Sequence, residues 1–268
     1  MSKKITLIAE IGENYLGDLK LAKKLIFQAK KNGADYAKFQ SYNEHCLKKK
    51  DPEYNWFKKV SLSDANHHIL KKECNKNNIK FLSSPFSIER AKFLCEKLKM
   101  KTIKVASSKM VEKNLLKYLN SKCEKVFLST GMSNIQDIKE SIRYLSNTQN
   151  VILHCVSEYP LIHKNANLLA ISILKKKFPK IEIGYSDHTI GTTAVMAAVS
   201  LGATTIEKHF TLNKKFKGTD HILSADPKDL KEISSKIKII SKLLGNEKKQ
   251  PSVSENKIKV FMRNRFTI

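Results

Sequence analysis

Two histidines stand at equivalent places in two neighbouring segments of the sequence. His188 lies in GYSDHTIG (184–191) and His209 in TTIEKHFTL (204–212), each just beyond a short run of apolar or β-branched residues. Residues 192–202 are rich in Ala and Val and end in glycine, which predicts a helix between two strands. Parallel strands joined in this way end side by side, so the two imidazoles would converge. We interpret the pair as metal ligands rather than as two separate structural histidines.

Two protein ligands indicate a weakly held, exchangeable metal ion. A structural zinc site has four ligands, whereas Mn²⁺ or a similar divalent ion accepts water and substrate oxygens at its open positions and acts as a Lewis acid. Asp187 and Glu207 adjoin the pair in sequence. Either could be a third ligand, and either could equally support a histidine.

Eight predicted strands, each followed by a predicted helix, fill the first 245 residues. Asp18, Ser63, Ser87 and Asn134 are the predicted helix caps, and the strands are placed at residues 5–10, 35–40, 79–83, 102–106, 125–128, 150–155, 181–185 and 204–207. This pattern predicts the α/β class and a single (β/α)₈ TIM barrel over residues 1–245, with a short C-terminal, linker-like tail at 246–268. An open doubly wound sheet is the alternative, but GENYLG lacks its glycine-rich first turn.

The carboxyl ends of barrel strands form one mouth, where catalytic residues gather. The polar residues predicted there are Glu10, Lys38, Ser84, Lys104, Ser107, Ser129, Tyr159, Ser186, His188, Glu207, His209 and Asp220. Buried lysines need an anionic partner, which is either a substrate or the carboxylates Glu10 and Glu207. The four serines could form a cradle for phosphate or carboxylate. Residues 41–60, which contain the only tryptophan, Trp56, show no clear period and are interpreted as a long loop.

Composition narrows the remaining classes. The formal charge is +25, but only four of the fifty basic residues are arginine and no aromatic stacking pattern accompanies the lysines, so nucleic-acid binding is disfavoured. The five cysteines form no CxxC pair, which favours a reducing cytoplasm over a disulfide framework. No apolar run is long enough to span a membrane, so no membrane partner is expected.

Nine short strings occur in this order along the chain: AEIGENYLGD, YAKFQ, FLSSPFS, IKVASS, LSTGMS, LHCVSEYP, GYSDHTIG, IEKHFTL and KGTDHILS. Together they resemble the sialic acid synthase family, which includes the N-acetylneuraminate, legionaminate and pseudaminate synthases. Singly such strings are weak, but nine in register over residues 5–244 are specific.

The resemblance implies condensation of phosphoenolpyruvate with an N-acetylated hexosamine such as N-acetylmannosamine, which yields a nonulosonic acid and phosphate. It implies Mn²⁺, or another divalent metal, on His188 and His209. The positions that match the phosphoenolpyruvate site are Lys38, Ser84, Lys104, Ser107, Ser129 and Ser186. Glu10 matches an active-site carboxylate, and Tyr159 and Asp220 match positions that contact the sugar.

Four departures from the family pattern accompany the resemblance. The family usually continues into a small antifreeze-like domain that completes the site in a swapped dimer, whereas this sequence ends at Ile268. The contact from that domain is therefore expected to be missing or replaced. A homodimer is possible, but the sequence does not decide the oligomeric state. Lys109 stands where the family often has an acidic residue. Tyr15 replaces a common histidine, and Ser84 replaces a threonine.

Two other functions stay open at this point. One is a related phosphoenolpyruvate-dependent aldolase or synthase with a different aldehyde sugar as acceptor, which Lys109 and the missing domain would permit. The other is a non-catalytic, truncated paralogue.

Overall fold

The computed structural model describes residues 4–46, 48–245 and 248–266, and within them eight parallel strands form a nearly closed barrel. The strands are β1 (Thr6–Glu10), β2 (Tyr36–Ser41), β3 (Lys80–Pro85), β4 (Thr102–Val105), β5 (Lys125–Ser129), β6 (Gln149–Cys155), β7 (Glu182–Asp187) and β8 (Thr205–His209). They pair in the order β3-β2-β1-β8-β7-β6-β5-β4, and the two end strands, β3 and β4, lie side by side. The predicted TIM barrel is confirmed.

Besides the strands, the described residues form α-helices, most of which cover the outside of the barrel. They are α1 (Leu19–Lys31), α2 (Tyr54–Val60), α3 (Asp64–Lys76), α4 (Ile88–Lys92), α5 (Lys113–Lys122), α6 (Ile135–Tyr144), α7 (Leu169–Lys177), α8 (Thr193–Ser200), α9 (Pro227–Leu243) and α10 (Val253–Arg263). The side chains of Asp18, Ser63, Ser87 and Asn134 accept backbone N–H groups at the starts of α1, α3, α4 and α6, which confirms the four predicted caps.

Two helical segments differ from the sequence prediction. The region interpreted as a long loop contains α2, which carries Trp56. The tail contains α10, which begins at a capping box of Ser252 and Glu255 and exposes its apolar side chains. The predicted boundary between barrel and tail, at residues 245 and 246, borders positions 246–247, which lie outside the described residues.

The core has two parts, one inside the barrel and one outside it. The larger part packs the outward side chains of the strands against the helices. The smaller part plugs the barrel interior with Ile8, Tyr36, Leu82, Phe127, Val151 and Leu153. Because side chains alternate along a strand, residues two positions beyond this plug also point inward. Those next positions are Glu10, Lys38, Ser84, Ser129 and Cys155, so a polar layer lies directly above the apolar one.

No helix in the described ranges is long and apolar enough to cross a membrane.

Candidate active site

A cavity of about 550 Å³ opens at the carboxyl ends of the strands. All twelve polar residues predicted at the mouth line it: Glu10, Lys38, Ser84, Lys104, Ser107, Ser129, Tyr159, Ser186, His188, Glu207, His209 and Asp220. They come from all eight strands or from the loops directly after them. The barrel fold therefore brings together side chains that are up to 210 residues apart in the sequence, from Glu10 to Asp220.

The two buried lysines pair with carboxylates of the same polar layer. The Lys38 ammonium lies 2.8 Å from Glu10 Oε2 and 3.5 Å from Glu207 Oε2, and the Lys104 ammonium lies 3.4 Å from Glu207 Oε1. Ser186 Oγ donates a hydrogen bond of 2.9 Å to Glu207. Both lysines are thus paired with the carboxylates Glu10 and Glu207, the internal partners expected from the sequence.

Pairing affects the two lysines differently. Burial lowers the pKa of Lys104, because Glu207 alone is a close carboxylate partner. Burial acts on Lys38 too, but Glu10 and Glu207 together outweigh it and raise its pKa. Burial likewise opposes ionisation of Glu207, yet Lys104, Lys38 and the Ser186 hydroxyl lower its pKa to about 2. Glu207 is therefore ionised at neutral pH, and Lys104 is the lysine that an additional anion would stabilise more.

The two histidines face one another across the cavity, with ring centroids 5.4 Å apart. His188 Nδ1 donates to the Val156 carbonyl at 2.7 Å, and His209 Nδ1 lies 3.1 Å from Asp220 Oδ2. In both rings the Nδ1 atom is thus engaged and Nε2 is the nitrogen left for a ligand. The Tyr159 ring covers the pair, 4.0 Å from His188 and 6.0 Å from His209 between centroids.

The environments of the two rings differ. Burial and the neighbouring His209 lower the pKa of His188 to about 4, so it is neutral at pH 7. Burial also acts against the charged form of His209, but the Asp220 carboxylate outweighs it and raises the pKa.

The donor set fits a divalent metal held by two imidazoles. A carbonyl and a carboxylate orient the rings from behind, as is usual for metal-ligating histidines. In the part of the chain that the structure describes, no group of three or more His, Cys, Asp or Glu side chains is arranged to hold a metal. His188 and His209 would therefore be the protein ligands, and solvent or substrate oxygens would supply the others.

The serines lie beside the lysines. Lys38 Nζ donates to Ser84 Oγ at 3.4 Å, and Ser107 Oγ accepts the Gly131 N–H at 3.0 Å. Ser129 Oγ and Ser157 Oγ are buried and make no hydrogen bond to the described residues. Buried hydroxyls without a partner are costly, so both suit a bound ligand with acceptor oxygens.

Several residues that line the cavity were not predicted from the sequence. They are Glu13, Gln40, Glu53, Phe57, Phe86, Ser108, Met132, Ser157 and Thr219. Glu13 holds two loops together, because it accepts from Trp56 Nε1 at 2.7 Å and from the Thr219 hydroxyl. Burial and the nearby Asp220 raise its pKa. The acidic residue in GENYLG was the available signal, but its partners are 43 and 206 positions away.

Three residues that could have belonged to the site by their sequence positions do not line the cavity. Asp187 points outward and pairs with Lys208, so it is not a third metal ligand. Lys109 pairs with Glu112 at 3.5 Å and is not among the described residues that line the cavity. Tyr15 is buried beside Phe39 and donates to the Val60 carbonyl, so it belongs to the core.

Comparison with known proteins identifies the family of the chain. The model of the NeuB family matches residues 25–249. The chain belongs to the NeuB family. The N,N'-diacetyllegionaminic acid synthase of Campylobacter jejuni is 40% identical over an alignment of 275 positions, which covers 95% of this chain and 82% of that protein. The N-acetylneuraminate-9-phosphate synthase of Homo sapiens is 34% identical over 91% of this chain and 72% of its own length.

A solved structure extends the likeness to three dimensions. The N-acetylneuraminic acid synthetase of Leptospira borgpetersenii serovar Hardjo-bovis, solved with citrate, superposes with a TM-score of 0.93 at 33% identity. The match covers 98% of this chain and 92% of that one. These NeuB-family relatives are synthases by name, and the enzyme class and the family expected from the sequence are confirmed.

Proposed function

We propose that this NeuB-family enzyme condenses phosphoenolpyruvate with the open-chain aldehyde of an N-acetylated hexosamine, similar to N-acetylmannosamine, in a metal-dependent reaction. The products are a nonulosonic acid and inorganic phosphate. The observation that carries the proposal is the placement of His188 and His209 beside the buried lysines Lys38 and Lys104 in one cavity.

Phosphoenolpyruvate would bind at the lysine end of the cavity. Its carboxylate and phosphate would draw the ammonium groups of Lys38 and Lys104 away from Glu10 and Glu207, and the Ser129 and Ser157 hydroxyls would gain acceptors. Release from Lys38 would leave the Glu10 carboxylate free to accept or return a proton. Internal pairing is thus the resting arrangement of a site that exchanges partners when substrate arrives.

In the reaction the C3 carbon of phosphoenolpyruvate forms a bond to the aldehyde carbon. The aldehyde oxygen takes up a proton and becomes a hydroxyl, water adds to C2, and the C2–oxygen bond to phosphate breaks. A divalent metal such as Mn²⁺, held by His188 and His209, would stabilise the charge that develops on the aldehyde oxygen. Asp220 orients the His209 ring and, with Tyr159, would contact the sugar.

The test is phosphate release from phosphoenolpyruvate in the presence of Mn²⁺ and a panel of aldehyde sugars. We expect release with at least one N-acetylated hexosamine, its loss on chelation with EDTA, and its loss in H188A and H209A. The control T148A removes a hydroxyl that bonds to the Leu145 carbonyl away from the cavity and should retain activity. Release only with sugars that lack an N-acetyl group would show that the acceptor is a different aldehyde sugar. No release with any sugar would favour the non-catalytic paralogue.

A further inference from the structure

A buried ion pair lies directly behind the two candidate metal ligands, on the outer face of the barrel. Lys208 Nζ is 2.7 Å from Asp187 Oδ2, and the two residues are 1% and 0% exposed. Asp187 and Lys208 are direct partners in the ladder between β7 and β8. Their neighbours Ser186 and Glu207 face the cavity, so the ion pair faces the helical layer instead.

The Asp187 carboxylate shapes the turn that carries His188. Its Oδ1 accepts the Thr189 N–H at 2.9 Å and the Tyr185 hydroxyl at 3.0 Å, and its Oδ2 accepts the Thr189 hydroxyl at 3.2 Å. Lys208 Nζ also donates to the Thr189 carbonyl. Because His188 lies between Asp187 and Thr189, its backbone is fixed on both sides by the same ion pair.

The other candidate ligand is tied to the same pair through the chain. His209 directly follows Lys208, and the ladder that aligns Lys208 with Asp187 also sets the height of His209 relative to His188. A metal site needs its ligands held to within about 0.5 Å of the productive geometry. The only covalent link between the two histidines is the 20 intervening residues, so non-covalent contacts must supply this precision.

We propose that Asp187 and Lys208 are positioning residues that set the separation of His188 and His209 and thereby the affinity for a divalent metal. The inference rests on the proposed function, since it requires that the two histidines hold the metal. It assigns a role to a buried pair that touches neither substrate nor metal. Groups that hydrogen-bond a ligating histidine typically change metal affinity 10–100-fold when they are removed, and this ion pair acts on the backbone that carries the same ligands.

The variant that tests the inference is the double substitution D187N/K208M. A single substitution would leave one buried charge without a partner and destabilise the fold, whereas removal of both charges together leaves no unpaired buried charge. The measurement is the Mn²⁺ dissociation constant of the full chain, from the electron paramagnetic resonance signal of free Mn²⁺. We expect a rise of about tenfold or more, with the circular dichroism spectrum retained.

Two control variants distinguish an effect on the position of the histidines from an effect on the stability of the fold. R90M breaks a different ion pair, between the buried Arg90 guanidinium and the exposed Asp64 carboxylate at 2.7 Å, and should lower Tm without changing the Mn²⁺ dissociation constant. T189A removes only the 3.2 Å bond from the Thr189 hydroxyl to Asp187 and should leave the chain folded even if the double variant unfolds. In T189A we expect a smaller rise in the dissociation constant, of about threefold, because only one of the hydrogen bonds that hold the turn is lost.

The outcomes distinguish this inference from the proposed function. Wild-type binding of Mn²⁺ that H188A abolishes, together with weaker binding in D187N/K208M and T189A but not in R90M, supports both. If the double variant and T189A bind Mn²⁺ within twofold of wild type while H188A does not bind, the positioning role is wrong and the metal site stands. If wild-type binding is absent or survives in H188A, both fail.

Discussion

At the scale of single residues, Glu207 is the side chain on which the charge balance of the cavity depends. It is the carboxylate shared by Lys38 and Lys104. Its position between them comes from the register of β8 against its neighbours, and no spacing in the sequence reveals it. For that reason the sequence predicted two lysines that need an anion without deciding whether the anion is a substrate or part of the chain.

Replacement of Glu207 by glutamine tests whether the lysines exchange partners. In E207Q, the buried Lys104 ammonium loses its close carboxylate partner and Lys38 keeps only Glu10, which should destabilise the fold by about 3–5 kcal/mol. Phosphoenolpyruvate should restore more of this loss than it adds to wild type, because its negative groups pair with both lysines. The measurement is Tm with and without saturating phosphoenolpyruvate. R90M, destabilised at a contact that packs against Phe93, serves as the control. An equal shift in E207Q and R90M would contradict the exchange.

At the scale of elements, the regular parts of the barrel could be predicted from the sequence and the short helix over its mouth could not. Caps such as Ser63 and Asn134 act within one turn, so their effect is visible locally. The helix α2 has seven residues, too few for a helical period to stand out. It is held from outside, by the bond between Trp56 and Glu13. Elements stabilised mainly by distant contacts are the ones that sequence patterns miss.

The Trp56 contact predicts how α2 responds to substitution. W56F keeps an aromatic ring but removes the indole N–H that donates to Glu13, at a cost of about 1–3 kcal/mol for a bond to a charged group. We expect faster hydrogen–deuterium exchange over residues 54–60 while the amides of β1 and β8 keep their protection. Because Glu53 and Phe57 line the cavity, the faster exchange would lie at the mouth of the barrel. Unchanged exchange over α2 would show that other contacts hold it.

At the scale of the whole molecule, burial of histidines makes the fold sensitive to acid. Burial lowers the pKa of His67, His154, His188 and His221. His67 lies on α3 and does not line the cavity. It packs against Phe81 and Phe93 and donates from Nδ1 to the Ser63 carbonyl at 2.9 Å, and burial lowers its pKa to about 4.

The direction of the pH dependence follows from where the proton binds. An unfolded histidine has a pKa of about 6.5, so between that value and about 4 the unfolded chain takes up a proton that folded His67 does not. The free energy of unfolding should therefore fall as the pH falls through this window. At pH 5, His67 lowers the free energy of unfolding by about 2 kcal/mol relative to neutral pH, because each pKa unit corresponds to about 1.4 kcal/mol.

The substitution H67N isolates this contribution. Asparagine keeps a donor near the Ser63 carbonyl and does not titrate, although loss of the ring lowers stability at every pH. Urea unfolding at pH 7.5 and pH 5 gives the loss of stability on acidification for each protein, and that difference cancels the packing effect. We expect the loss to be smaller in H67N than in wild type by about 2 kcal/mol. Equal losses in the two proteins would mean that His67 takes up its proton in the folded state as readily as in the unfolded one.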